Sequence, residues 1–312
     1  MSHYGLGTLK KEENMALAHT FDYQRPSTLI EALQLKAKYK DKAHFLAGGT
    51  DLIVNIREGM LKPDLLIDIK GISELLKLNW EKETLFIGSN VTFAQLIDNE
   101  LVQKHFILLH DACKTIGSTG IRARATLTGN ICSAVPSLDS APALLCYEAK
   151  VHCASPESQR EIPVTEWFLA PRKTALQEDE IVTGISLKRI PDSSGIYLKL
   201  GRYSGEDLAQ AGWGILMTAD KQYRLAHCAL SPIPKRAYYI EDLLNNSNPL
   251  NADLIEKAIA LIPSEINPIT DIRATQEFRM YISGIMLKRG LTAIQERISG
   301  KYIEPRKLLG DV

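Results

Sequence analysis

A chain of 312 residues can bury more than one core, so two or three domains are expected. Its 37 basic side chains balance 37 acidic ones and are scattered among them, which argues against a nucleic-acid-binding face. No apolar run reaches the roughly 18 residues of a spanning helix, and the first residues lack the apolar core of a secretion signal, so a cytoplasmic protein without a membrane span is expected. Cys113, Cys132, Cys146, Cys153 and Cys228 form an odd, widely spaced set with no C-x-x-C pair, and the seven histidines include no H-x-H or H-x-x-x-H pair. Neither a disulfide framework nor a metal site is signalled, and redox chemistry would need an organic cofactor.

In chain order, residues 1–18 are polar and aperiodic and read as a peripheral extension. Thr28 and Glu31 form a capping box that opens a helix to about Tyr39. A strand at His44 to Ala47, a Gly-Gly turn, a short helix from Leu52 to Glu58 and a strand at Leu65 to Ile69 complete a small α/β lobe. A second lobe begins with a strand at Thr84 to Gly88. It continues with a helix capped by Thr92 and Gln95, and a longer helix at about Phe106 to Thr115. Ile116 to Pro142 is rich in Gly, Ser and Thr and lacks periodicity, the mark of a long irregular binding loop. Strands return at Lys150 to Ala154 and Ile181 to Leu187, and Pro191 to Gly195 reads as a domain joint. Beyond it, Ile196 to Arg202, Gly212 to Ala219 and Arg224 to Leu230 predict an antiparallel sheet. Helices at Lys235 to Leu244, Ala252 to Leu261 and Thr275 to Lys288 carry apolar stripes to pack on it.

Two segments draw functional interest. Ala47-Gly48-Gly49-Thr50-Asp51, between a strand and a helix start, offers close backbone approach and outward N–H groups, a geometry suited to a pyrophosphate. The same pattern also builds ordinary strand-to-helix turns. Thr126-Leu127-Thr128-Gly129-Asn130, continuing to Asp139, adds hydroxyls, a glycine and an amide without matching the G-x-G-x-x-G or P-loop fingerprints.

AGGTDL at 47–52, IGSNVTFAQL at 87–96, IRARATLTGNICSAVPSLDSAPAL at 121–144 and EDEIVTGI at 178–185 occur in an order that resembles the FAD-binding subunits of the xanthine dehydrogenase and carbon monoxide dehydrogenase family. The resemblance runs from about Phe21 to the C-terminus. It implies an α+β chain with a two-lobed FAD-binding domain of the vanillyl-alcohol oxidase (PCMH) type at 19–192, lobes about 19–75 and 76–192. A C-terminal domain of the carbon monoxide dehydrogenase flavoprotein type, antiparallel sheet plus helices, would follow at 195–303.

By the same resemblance, FAD is bound noncovalently. Ala47, Gly48, Gly49, Thr50, Asp51 and Leu52 wrap its pyrophosphate, and Thr126, Leu127, Thr128, Gly129 and Asn130 form a second wall. Asp139 binds near the adenosine part, Ile87 lies against the flavin ring and Lys199 sits near the ring's polar edge. Family members commonly carry Gly-Gly before the asparagine; Thr128 replaces the first glycine, and at a positive φ a β-branched residue would be strained, so a local difference is expected. Arg122 and Arg124, beside the second segment, could face phosphates, a partner or solvent. The implied partners are a molybdopterin-binding large subunit and a small subunit with two two-iron, two-sulfur clusters, with NAD as one acceptor. Alternatives are a stand-alone flavin oxidase of the vanillyl-alcohol oxidase type, or a structural subunit that has lost FAD.

Overall fold

The computed structural model describes residues 19–203, 206–247 and 249–309; the expected extension at 1–18 lies outside the described residues. The small lobe is a parallel three-stranded sheet in the order β1 (Asp22–Gln24), β3 (Leu65–Asp68), β2 (Ala43–Leu46). Helix α1 (Leu29–Tyr39) packs on it, opened by the reciprocal Thr28–Glu31 capping box, and α2 (Leu52–Arg57) follows β2. Leu33, Leu65, Ile67 and Ile72 form its core. Strand β1 was not foreseen; three exposed residues carry no burial periodicity to detect.

The second lobe has a five-stranded antiparallel sheet in the order β4 (Leu78–Glu81), β5 (Thr84–Gly88), β10 (Ile181–Lys188), β6 (Lys150–Ala154), β7 (Gln159–Pro163). Between β5 and β6 run α3 (Phe93–Asp98), α4 (Glu100–His105), α5 (Ile107–Lys114), α6 (Thr119–Arg122), α7 (Leu127–Ser133) and α8 (Ala141–Cys146). A small hairpin, β8 (Phe168–Ala170) and β9 (Lys173–Thr174), precedes β10. The stretch expected to be one irregular loop is therefore a series of short helices. Ser118 caps α6 and Thr126 caps α7, so the Ser and Thr content that suggested a loop reflects helix starts in close succession.

The last sheet runs β11 (Ser194–Leu200), β12 (Ala211–Met217), β13 (Tyr223–Cys228), β14 (Lys235–Arg236), antiparallel throughout. Helices α9 (Tyr238–Asn245), α10 (Ala252–Ala260), α11 (Ile262–Glu265) and α12 (Gln276–Ile298) follow. Lys235 thus begins a short strand, not the helix expected there, and α12 runs ten residues past its expected end at Lys288. An antiparallel sheet usually leaves one face to solvent; every residue of β12 is buried here. Leu198, Trp213 and Ile215 pack with the C-terminal helices, whereas Tyr197, Leu216 and Cys228 join the core of the second lobe, against α5 and α8. Arg297 of α12 reinforces the junction by donating to Asp111 of α5 at 2.6 Å and to the Gly195 carbonyl.

On the helix-covered face, His227 of β13 has no exposed surface, lies edge-on to Trp213 at 5.4 Å, and neither ring nitrogen has a hydrogen-bond partner among the described residues. Burial, aided by the nearby Lys235 charge, holds the imidazole neutral and lowers its pKa from 6.5 to about 3. The unfolded chain takes up a proton near 6.5 that the folded chain refuses until about 3, so stability is lost as pH falls through that window. The limit is about 1.4 kcal/mol per pH unit for one proton. His227→Leu is expected to flatten this acid limb: between about pH 7 and about pH 4.5, thermal melting should fall less for the variant than for the parent chain. An equal fall in both would mean His227 is not the group responsible.

Candidate functional site

Strand β2 delivers Ala47–Leu52 to the carboxyl end of a parallel sheet, where ligands of α/β folds commonly bind. Gly49 has φ +76°, open to glycine but costly for a side chain, and a Cβ there would lie 2.9 Å from Leu46 Cδ1. Its carbonyl accepts from the Ile53 amide at 3.0 Å, which starts α2. The amides of Gly48, Gly49, Thr50, Asp51 and Leu52 have no protein acceptor among the described residues. Five neighbouring donors thus gather at a helix start, an arrangement that favours an anion. The Asp51 side chain makes no capping bond and stays exposed.

Gly48 decides what faces this turn. A Cβ on it would lie 2.2 Å from the Arg124 carbonyl oxygen and 2.9 Å from Ala125 Cα. The two segments therefore touch backbone to backbone, Ala47–Leu52 against the residues that lead into Thr126. Ala125 accepts from the Phe93 amide at 3.0 Å, and Thr126 bridges Thr92, which fixes the second segment to the start of α3.

The second wall is the first turn of α7, not an extended loop. Thr126 Oγ1 accepts from the Gly129 amide at 3.0 Å. Thr128 sits inside the helix and is not among the residues of positive φ, so the expected strain does not arise. Its hydroxyl is buried and has no partner among the described residues. Leaving such a group unsatisfied costs about 1–3 kcal/mol, and a ligand oxygen would remove that cost. Gly129 is exposed, and Asn130 Oδ1 accepts from Ser140 Oγ at 2.6 Å, which connects the wall to the adjacent Asp139. The Leu127 and Ile87 side chains have no exposed surface and belong to the core of the second lobe. Leu127 therefore offers its backbone alone. The Ile87 side chain is enclosed in that core and has no exposed surface.

Asp139 and Lys199 form one unit. Lys199 Nζ donates to Asp139 Oδ2 at 2.8 Å and to the Thr115 carbonyl at 2.9 Å, and both side chains are at least nine-tenths buried. The two residues, expected at different parts of the dinucleotide, are thus in direct contact with each other. Burial raises the Asp139 carboxyl, and the Lys199 ammonium and Tyr197 hydroxyl oppose the rise. Arg122 donates to the carbonyls of Ile116 and Gly117, both at 2.9 Å, and so fastens its own loop; Arg124 is exposed.

Sequence reasoning missed Asn90 and Tyr197. Asn90 Nδ2 donates to the Ile69 carbonyl at 2.6 Å, tying the lobes together, while its buried Oδ1 has no partner among the described residues. Tyr197 lies two residues before Lys199 on one strand, so the period of two could have placed both on one face. A cavity of about 590 Å³ lined by Leu200, Gln210, Arg273 and Phe278 shares no residue with either wall.

Residues 19–191 match the family described as the FAD binding domain in molybdopterin dehydrogenase, and residues 196–294 match the CO dehydrogenase flavoprotein C-terminal domain. The chain is similar to the xanthine dehydrogenase FAD-binding subunit of Escherichia coli O157:H7, at 30% identity over 89% of this chain and 97% of that one. It is also similar to the carbon monoxide dehydrogenase medium chain of Hydrogenophaga pseudoflava, at 28% identity over 89% and 98% of the two chains. The solved carbon monoxide dehydrogenase from Hydrogenophaga pseudoflava superposes with a TM-score of 0.85 at 28% identity, covering 89% of this chain and 98% of that one.

Gly48→Ala should prise the walls apart, and Gly49→Val should strain the turn. Each is expected to reduce the FAD retained by the purified chain by more than about tenfold, with the far-ultraviolet circular dichroism kept. Parent-level FAD in both variants would show that these segments do not hold it.

Proposed function

The chain belongs to the family of FAD-binding domains of molybdopterin dehydrogenases, and on that premise we propose that it is the electron-transfer subunit of a cytoplasmic, multi-subunit molybdenum hydroxylase. The observation that carries this reading is the contact of Gly48 with Arg124 and Ala125, which sets five free amides beside the first turn of α7. A flavin supplies the capacity to take electrons singly and release them as a pair. The chain's own residues bind and place it. The amides of Gly48 to Leu52 hold the pyrophosphate from one side, and the Thr128 hydroxyl and first turn of α7 hold it from the other. Lys199, held by Asp139, would face the polar edge of the ring. There the ammonium favours the charge that reduction places on the ring, and the carboxylate fixes where that ammonium sits. No side chain need form a covalent bond to the cofactor.

In this reading a molybdopterin-binding large subunit oxidises the substrate and an iron-sulfur small subunit relays the electrons, with NAD as an acceptor. Relatives whose names call them a subunit or a medium chain support such an assembly. So do the five cysteines, free thiols of which four are buried and none is paired, since they offer no clustered ligand set. The full-length likeness to named subunits favours this reading over a stand-alone oxidase.

An absorption spectrum of the purified chain tests the assignment. Flavin bands that pass into the supernatant on denaturing precipitation are the expected result. Bands that remain with the precipitate would mean a covalent link, and a chain that purifies without them and binds no added FAD would be a structural subunit.

A further inference from the structure

Along β11, Leu198 and Leu200 enter the core shared with α12, while Tyr197 and Lys199 face Asp139. Tyr197 has no exposed surface. Its hydroxyl donates to Asp139 Oδ1 at 2.7 Å and lies 3.3 Å from Cys228 Sγ. The other carboxylate oxygen accepts from Lys199 at 2.8 Å. Each oxygen of a buried carboxylate therefore has its own donor, and both donors come from one strand.

The place of the phenol is shaped on its far side as well. Gly212 pairs with Lys199 across β11 and β12, and a Cβ on it would lie 2.5 Å from Tyr197 Oη and 2.5 Å from Cys228 Sγ. Nothing larger than glycine fits there with the hydroxyl in position.

We propose that Tyr197 is a positioning residue of the flavin site: its hydroxyl satisfies one oxygen of Asp139, so that the carboxylate orients Lys199 without capturing all of its positive field. The inference rests on the assignment of the Asp139–Lys199 pair to the polar edge of the ring. Without the hydroxyl, Asp139 Oδ1 would be a desolvated acceptor, and the carboxylate would draw the ammonium more strongly towards itself. Less of that charge would then act on a bound ring.

The test uses the full chain and added FAD. Tyr197→Phe removes only the hydroxyl. It is expected to weaken FAD binding, followed by quenching of free-flavin fluorescence, by about fivefold to tenfold. It is also expected to shift the midpoint potential of the bound flavin to a more negative value. In an Asp139→Asn background the same change should have little further effect on either quantity, because the tyrosine acts through the carboxylate. Gly212→Ala, which displaces the hydroxyl without removing it, should move both quantities in the same direction and serves if Tyr197→Phe does not fold. Two results would overturn the inference: parent-level affinity and potential in the folded variants, or an undiminished effect of Tyr197→Phe when Asp139 is already asparagine. A parent chain that binds no FAD would instead overturn the function from which the inference starts.

Discussion

The candidate site depends on one close approach, the absence of a side chain at Gly48. Because the Gly48 backbone lies against the Arg124 carbonyl, the turn after β2 and the start of α7 meet although Gly48 and Thr126 are 78 positions apart. Neither wall is a strong anion site alone, since α2 and α7 are short and their dipole effect falls off within a turn. Their junction is what concentrates donors. Asn90 adds a second tie between the two lobes, through its bond to the Ile69 carbonyl.

A second layer of order comes from the C-terminal sheet. Its first strand, β11, supplies both Tyr197 and Lys199 to a carboxylate of the second lobe, so the polar centre is built across two regions of the chain. That centre lies within an apolar boundary formed by α5, α8 and the sheet, where an unpaired charge would be costly. The Asp139 carboxylate has a donor on each oxygen, which makes its burial tolerable.

Much of the architecture was readable from local rules. The Thr28–Glu31 and Thr92–Gln95 capping boxes both form as read, because a cap depends on residues three apart. The two glycine-bearing segments could be named for a similar reason: close approach and helix starts leave marks in the residue types themselves. What escaped was decided at a distance. β1 exists because β3 lies beside it, and β4 because β5 does. The helices between Ile116 and Pro142 were hidden because each is shorter than two turns or nearly so, leaving too few residues for a period to emerge. The meeting of Asp139 with Lys199 joins positions 60 apart, and only the fold could reveal that two separately named residues form one group.

The sheet clad on both sides has a consequence for how such chains diversify. A β-sheet with one wet face can be exchanged between relatives as a module, because its outer surface makes no demands on its surroundings. Here the face that bears Tyr197, Leu216 and Cys228 is already the inner wall of the preceding lobe. Two separately recognisable stretches of sequence are therefore inseparable as matter, and a graft that carries the sheet but leaves its original α5 and α8 behind would arrive with a raw hydrophobic face and a mismatched socket.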